Sequence, residues 1–290
     1  MSGRLFCGTS GWTYPPWRGV FYPRGLRQRD ELRYMAEHVT SIEINGSFYS
    51  LQRPSAYASW YAQTPEHFLF SVKGPRFITH MKKLRDARVP LANFFASGVL
   101  ALRDKLGPIL WQLPPSLGYD ADRLSAFFAQ LPRSTGEAGY LARQHDERMK
   151  DRNYLAVDED RPMRHALEVR HATFATARFT ALLREQHVAV VVADTAGKWP
   201  LIRETTTNFG YVRLHGDVEL YVSGYTDAAL DAWAATIRPW LEAGLDTYVY
   251  FDNDVKVRAP LDAMALLRRF DADVRQPAVT PRPERPAGSR

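Results

Sequence analysis

A closed parallel (β/α)8 barrel, an α/β fold of the TIM type built as one domain over residues 1–271, is the fold class this sequence predicts, on three observations. About eight short β-rich runs recur along the chain. Segments with helical spacing lie between them. The polar residues inside the β-rich runs gather toward the ends that the chain reaches last. Strict alternation calls for parallel strands, because parallel neighbours need a crossover that carries the chain back to the starting edge.

The β-rich runs are 5–10 (LFCGTS), 41–45 (SIEIN), 68–73 (FLFSVK), 109–114 (ILWQLP), 165–170 (HALEVR), 188–194 (VAVVVAD), 211–216 (YVRLHG) and 247–252 (TYVYFD), dominated by branched and aromatic side chains. Helical spacing covers 30–39, 54–63, 90–105, 120–131, 174–186, 226–243 and 259–270. Pro54-Ser55, Asp120 and Thr226-Asp227 suit a first helical turn. Residues 198–207 are too few and too Thr-rich to predict a helix. Two segments interrupt the rhythm: 133–162 reads as a charged insertion, and 272–290, rich in Pro and Arg, as a disordered tail.

With 45% hydrophobic and 24% charged residues among 290, the chain has an ordinary globular composition. Its formal charge of +6 and pI of about 9.4 rest mostly on arginine, which fits an anionic partner but does not single out nucleic acid. Cys7 stands alone, so an internal disulfide is ruled out and a reducing compartment fits. The N-terminus has no apolar core of signal-peptide length, and no run is long enough to span a bilayer. A cytoplasmic protein without a membrane partner is expected.

Parallel strands covered by helices have no water-facing side, so a charged residue on their inner face needs a reason. In YVRLHG, Tyr211, Arg213 and His215 share the face opposite Val212 and Leu214. By the same alternation Glu43 and Asn45 oppose Ile42 and Ile44, and Glu168 and Arg170 oppose Leu167 and Val169. Lys73, Gln112, Asp194 and Asp252 are read as inward at their strand ends. All lie toward the C-terminal face, where barrels of this kind carry their chemistry. The competing reading is a buried ion network that shifts pKa values and catalyses nothing.

A metal is not favoured and the cofactor is left unknown. Glu43, Glu168, Asp194, Asp252 and His215 have ligand chemistry, but Lys73, Arg170 and Arg213 in the same cavity would repel a cation. No Walker loop, no GxGxxG after a strand and no GxSxG elbow is present. The loop 10–25 gathers Trp12, Tyr14, Trp17, Phe21 and Tyr22 with Arg18 and Arg24. Such a loop either stacks on sugars or bases or forms a rigid lid, and the lid is preferred. Tyr49 and Tyr225 add hydroxyl contacts at the rim.

GTSGWTYPPW (8–17), EINGSFY (43–49), FSVKGPRFITH (70–80), QLPP (112–115), EVRH (168–171), YVRLHG and YFDND (250–254) together resemble the YecE-like family, domain of unknown function 72. The resemblance implies a TIM-type barrel and no established reaction. Comparison with barrels that isomerise sugars or cleave abasic DNA is fold analogy alone. Phe174 stands where tryptophan is common in the family and Asp252 where asparagine is commoner, so Asp252 is left out of the candidate set.

The expected function is acid/base chemistry on a small anionic or polyhydroxylated ligand. Glu43, Glu168, His215 and Asp194 are the catalytic candidates. Lys73, Arg170 and Arg213 would hold a phosphate or carboxylate, with Trp12, Asn45, Tyr49, His80, Gln112 and Tyr225 completing the ligand-binding set. The alternatives are a barrel that binds or cleaves nucleic acid and one that binds a ligand without catalysis.

Overall fold

Gly8 of β1 (Leu5–Ser10) pairs with Ser41 of β2 (Ser41–Ile44) on one side and with Tyr250 of β8 (Asp246–Phe251) on the other, which closes the sheet. The computed structural model describes residues 2–270. Between these edges run β3 (Leu69–Lys73), β4 (Leu106–Gln112), β5 (His165–Glu168), β6 (Ala189–Asp194) and β7 (Phe209–Leu214), parallel and in chain order. The tail at 272–290 lies outside the described residues.

Helices wrap the barrel: α1 (Glu31–Ala36), α2 (Gly46–Tyr49), α3 (Pro54–Gln63), α4 (Arg88–Ala96), α5 (Ala121–Phe128), α6 (Thr135–Ala142), α7 (Ala177–Glu185), α8 (Asp227–Glu242) and α9 (Arg258–Arg268). Asp120 and Thr226 cap as their residue types predict, each accepting a bond from a backbone N–H of the first turn. No helix joins β6 to β7 among the described residues. The charged insertion is built on α6, whose N-cap Ser134 accepts from Glu137 N while Glu137 accepts from Arg133 N.

One expected helix is corrected. Residues 90–105 break at Gly98, which adopts φ 112°. A Cβ there would lie 2.6 Å from Pro54 Cα, so only glycine permits α3 to pack this closely. Beyond it a 3-10 segment, Val99–Lys105, leads directly into β4, which starts three residues earlier than the expected 109.

Two apolar layers result. Ile42, Ile44, Val72, Trp111, Leu167, Val190, Val192, Val212, Leu214 and Val249 pack outward among the helices. Inside, Phe6, Tyr211, Tyr248 and Tyr250 fill the space that the small Ala166, Ala189 and Ala193 leave across the barrel. The tyrosine hydroxyls are satisfied there. Tyr250 meets Ser41 Oγ at 2.7 Å, and Tyr211 meets Ser71 Oγ at 2.6 Å. Above this plug the lining turns polar, and the site begins.

Candidate active site at the barrel mouth

The last inward residue of each of several strands points into one polar layer: Ser10, Glu43, Lys73, Gln112, Glu168 and Arg213, followed by His215 and Asp252 just beyond β7 and β8. Arg213 is its centre. Its Nε donates to Glu43 Oε2 at 3.0 Å and one terminal nitrogen to Glu168 Oε2 at 2.6 Å. The other donates to Glu43 Oε1 at 2.8 Å, Asp252 Oδ2 at 3.0 Å and Ser10 Oγ at 3.2 Å. Tyr211 beneath donates to Glu43 Oε2.

This geometry corrects one expectation. Arg213 is wholly enclosed and every nitrogen already faces a carboxylate, so it has no donor left for a ligand anion. Burial alone would lower its proton affinity, yet Glu43, Glu168 and Asp252 outweigh that and raise it. It is a hub that fixes three carboxylates.

Those carboxylates differ in what they reach. Glu43 and Glu168 are enclosed, whereas the Asp252 side chain keeps 13% of its surface open. Burial pushes the Glu168 carboxyl up, but Arg170, Arg213, His215 and Lys73 together hold it well below the usual range. Asp252 follows the same pattern, with Arg213 and His215 overcoming burial. Both stay ionised at neutral pH. His215 Nδ1 lies 3.0 Å from Asp252 Oδ2, although off the line of a well-formed hydrogen bond. Its Nε2 sits 3.3 Å from a terminal nitrogen of Arg213 and 3.7 Å from Glu168 Oε1, so the ring bridges the hub and Asp252.

Two cations face the open part of the mouth. Arg170 bonds Glu168 Oε1 through Nε and one terminal nitrogen and stacks on Trp199 at 4.0 Å, which leaves its remaining terminal nitrogen without a partner among the described residues. Lys73 has its ammonium 4.3 Å from the Phe48 ring centre. Gln112, inward and nearly buried, makes no side-chain hydrogen bond to the described residues. His80, half-buried on the one-turn π-helix Phe77–Met81, packs edge-on against Phe48. Burial, Arg170, Lys73 and Arg76 lower its pKa to about 4, so its ring is neutral.

Beside this layer lies a cleft of about 400 Å³ bounded by Trp12, Tyr14, Asn45, Tyr49, Gln52, Trp60 and Asp254. Asn45 Oδ1 is buried there without a partner. Trp17, Phe21 and Tyr22 are packed inside, and Arg18 is bound to Glu31, so most of the aromatic loop serves as a wall. Of that loop's aromatic residues, Trp12 and Tyr14 border the cleft, with Gly11 and Thr13 beside them.

Asp194 and Tyr225 are corrections. Ala189, Val191 and Ala193 face the barrel interior, which places Asp194 on the helix side. There Tyr225 donates to Asp194 Oδ2 at 3.2 Å and accepts from Gly216 N at 3.1 Å, pinning the loop after β7 to the helix layer. Among the described residues, no group of three or more His, Cys, Asp or Glu is placed to hold a metal ion.

The family described as "Protein of unknown function DUF72" matches residues 6–287. The chain belongs to the DUF72 family. The curated relatives include UPF0759 protein YecE of Escherichia coli K12, 28% identical over 47% of this chain and 46% of that protein. UPF0759 protein YunF of Bacillus subtilis is 25% identical over 38% of this chain and 40% of that protein. The alignment thus spans under half of either relative. A crystal structure of a DUF72 protein from Thermotoga maritima superposes with a TM-score of 0.73 at 23% identity, covering 91% of this chain and 98% of that one. One from Enterococcus faecalis gives 0.68 at 15% identity, over 91% and 94%. At these identities the likeness shows the fold.

Within this DUF72 barrel, sequence reasoning missed two contributors and set a third, Asp252, aside after reading it as inward. Asp252 was legible, since Tyr248, Tyr250 and Asp252 alternate onto one face. Trp199 and Tyr221, which cover Arg170 and His215, sit in irregular loops where no periodicity marks them.

Proposed function

We propose that this protein is an enzyme that performs acid/base chemistry on a small anionic or polyhydroxylated ligand held at the C-terminal mouth of the barrel. The observation that carries the reading is the hub. A guanidinium that fixes three carboxylates and a histidine in a sealed layer is a preorganised support, and it presents one ionised carboxylate, Asp252, toward the opening. Asp252, with His215 Nδ1 3.0 Å away, is the proton acceptor. Glu43 and Glu168 are positioning residues. Arg170 supplies the anion contact, and Gln112, Asn45 and the Trp12 wall take hydroxyls and the apolar face of a ring.

Thermal-shift measurements with free sugars, sugar phosphates and inorganic phosphate test the binding half. A ligand at about 100 times its Kd stabilises by about 2.7 kcal/mol. The shift is expected for a phosphorylated sugar and is expected to vanish in Arg170→Ala. For a compound that binds, deuterium incorporation from solvent at a carbon-bound position should be lost in Asp252→Asn while the shift persists. Binding without any incorporation would reduce the protein to a ligand-binding barrel. A response to duplex DNA that collapses with salt, in place of any response to sugars, would move the reading to nucleic acid.

A further inference from the structure

Among the described residues, two lysine side chains are buried in this fold, and they are treated oppositely. Lys105 Nζ donates to Tyr61 O at 2.7 Å, Thr64 O at 2.7 Å and Thr64 Oγ1 at 3.3 Å, closing the C-terminal end of α3. All three donors are used. Lys73 is 5% exposed at the last position of β3, yet among the described residues no carboxylate lies within 4.0 Å of Nζ and no acceptor bonds it. Its neighbour is the face of Phe48. The other cations of the mouth, Arg213 and Arg170, are both carboxylate-bound.

We propose that Lys73 is a nucleophilic lysine that forms a Schiff base with the carbonyl carbon of an aldehyde or ketone ligand, a step that rests on reading the mouth as an active site. An amine held in place without an ion pair keeps its lone pair available, which is what carbonyl addition needs. Its placement is fixed from behind, because Ser47 Oγ donates to the Lys73 carbonyl at 2.6 Å and Gly74 N donates to Leu110 O. Burial first, then Arg213, lowers the ammonium pKa from 10.5 to about 8, against the opposing pull of Asp252, Glu43 and Glu168. The neutral amine is therefore accessible near physiological pH.

The chemistry balances without any further reagent. The amine lone pair forms a C–N bond as the carbonyl π pair moves to oxygen, which takes up a proton. Nitrogen gives a proton to the new hydroxyl, its lone pair then forms the C=N bond as the C–O bond breaks, and water departs to leave a protonated Schiff base; the first proton on oxygen is the one that the Lys73 ammonium releases on becoming the amine. His80 is suited to carry those protons. Its ring is neutral, also packs against Phe48, and binds Thr79 Oγ1 through Nδ1 at 2.9 Å, leaving Nε2 without a partner among the described residues. Arg170 would hold an anionic group on the same ligand.

The test is reductive trapping of the full-length chain with glycolaldehyde, dihydroxyacetone phosphate or pyruvate and cyanoborohydride, followed by peptide mass spectrometry. Exposed Lys83, Lys150, Lys198 and Lys256 are internal references. Lys73 is expected to be labelled at least tenfold faster than any of them by at least one probe, with a half-maximal rate near pH 8. Lys73→Arg should remove that label and leave the references unchanged. Labelling of Lys73 no faster than the references with every probe overturns the proposal. That failure is separate from the reading it rests on: sugar phosphates would still shift the melting temperature, and Asp252→Asn would still abolish deuterium exchange.

Discussion

Lys73→Met should make the protein more stable. The methionine keeps the length and packs on the Phe48 ring, while removing a charge that the barrel buries without a partner. A fall in pKa from 10.5 to about 8 corresponds to about 3 kcal/mol against the protonated form in the folded state. The sign follows from linkage. The folded pKa is the lower one, so between about pH 8 and 10.5 the unfolded chain binds the extra proton and stability of the wild type rises with pH. The advantage of Lys73→Met should therefore be about 3 kcal/mol at pH 7 and shrink to about 1 kcal/mol at pH 9.5. At pH 7 this is about 5–10 °C in Tm for a domain of this size. Urea unfolding of both proteins at the two pH values measures it. A destabilised Lys73→Met, or a difference that does not shrink with pH, would refute the argument that this ammonium is held at a cost.

Two further outcomes follow from the hub and its surroundings. Arg213→Leu removes the cation that Glu43, Glu168 and Asp252 share and leaves Glu168 only Arg170, which should cost about 3–5 kcal/mol in denaturant unfolding at pH 7. Glu168 and Asp252 have depressed folded pKa values, so their contribution is present above the ordinary carboxyl range and fades below about pH 4; the gap between wild type and Arg213→Leu should narrow there. Tyr225→Phe removes the pin to Asp194 and Gly216 and should lower stability by about 1–2 kcal/mol without altering any ligand-induced thermal shift. A lost shift in Tyr225→Phe would return that residue to the ligand.

The barrel was legible from the sequence because its signals are local. Alternation in YVRLHG and SIEIN assigns Arg213, His215 and Glu43 to the interior by backbone geometry alone, and the structure places them there. Where that local signal is weak, the reading slips. In AVVVAD five apolar residues in a row give no polar mark of phase, so the sequence reads Asp194 as inward although Ala193, one residue earlier, is the inward one. Gly98 interrupts an apparently continuous helical pattern because α3 passes within reach of its missing side chain, a contact between segments far apart in sequence.

The sequence by itself determined that Glu43, Lys73, Glu168 and Arg213 face inward at their strand ends, and only the tertiary structure decided what each of them meets there. Lys73, Arg170 and Arg213 look alike as letters on inner strand ends. Their difference comes from neighbours contributed by other strands: Glu43 of β2, Glu168 of β5 and Asp252 beyond β8 converge on Arg213 and use every donor it has, while Lys73 meets a phenylalanine. Charge pairing depends on distances of about 3 Å across a closed barrel. Periodicity along one strand carries no information about that.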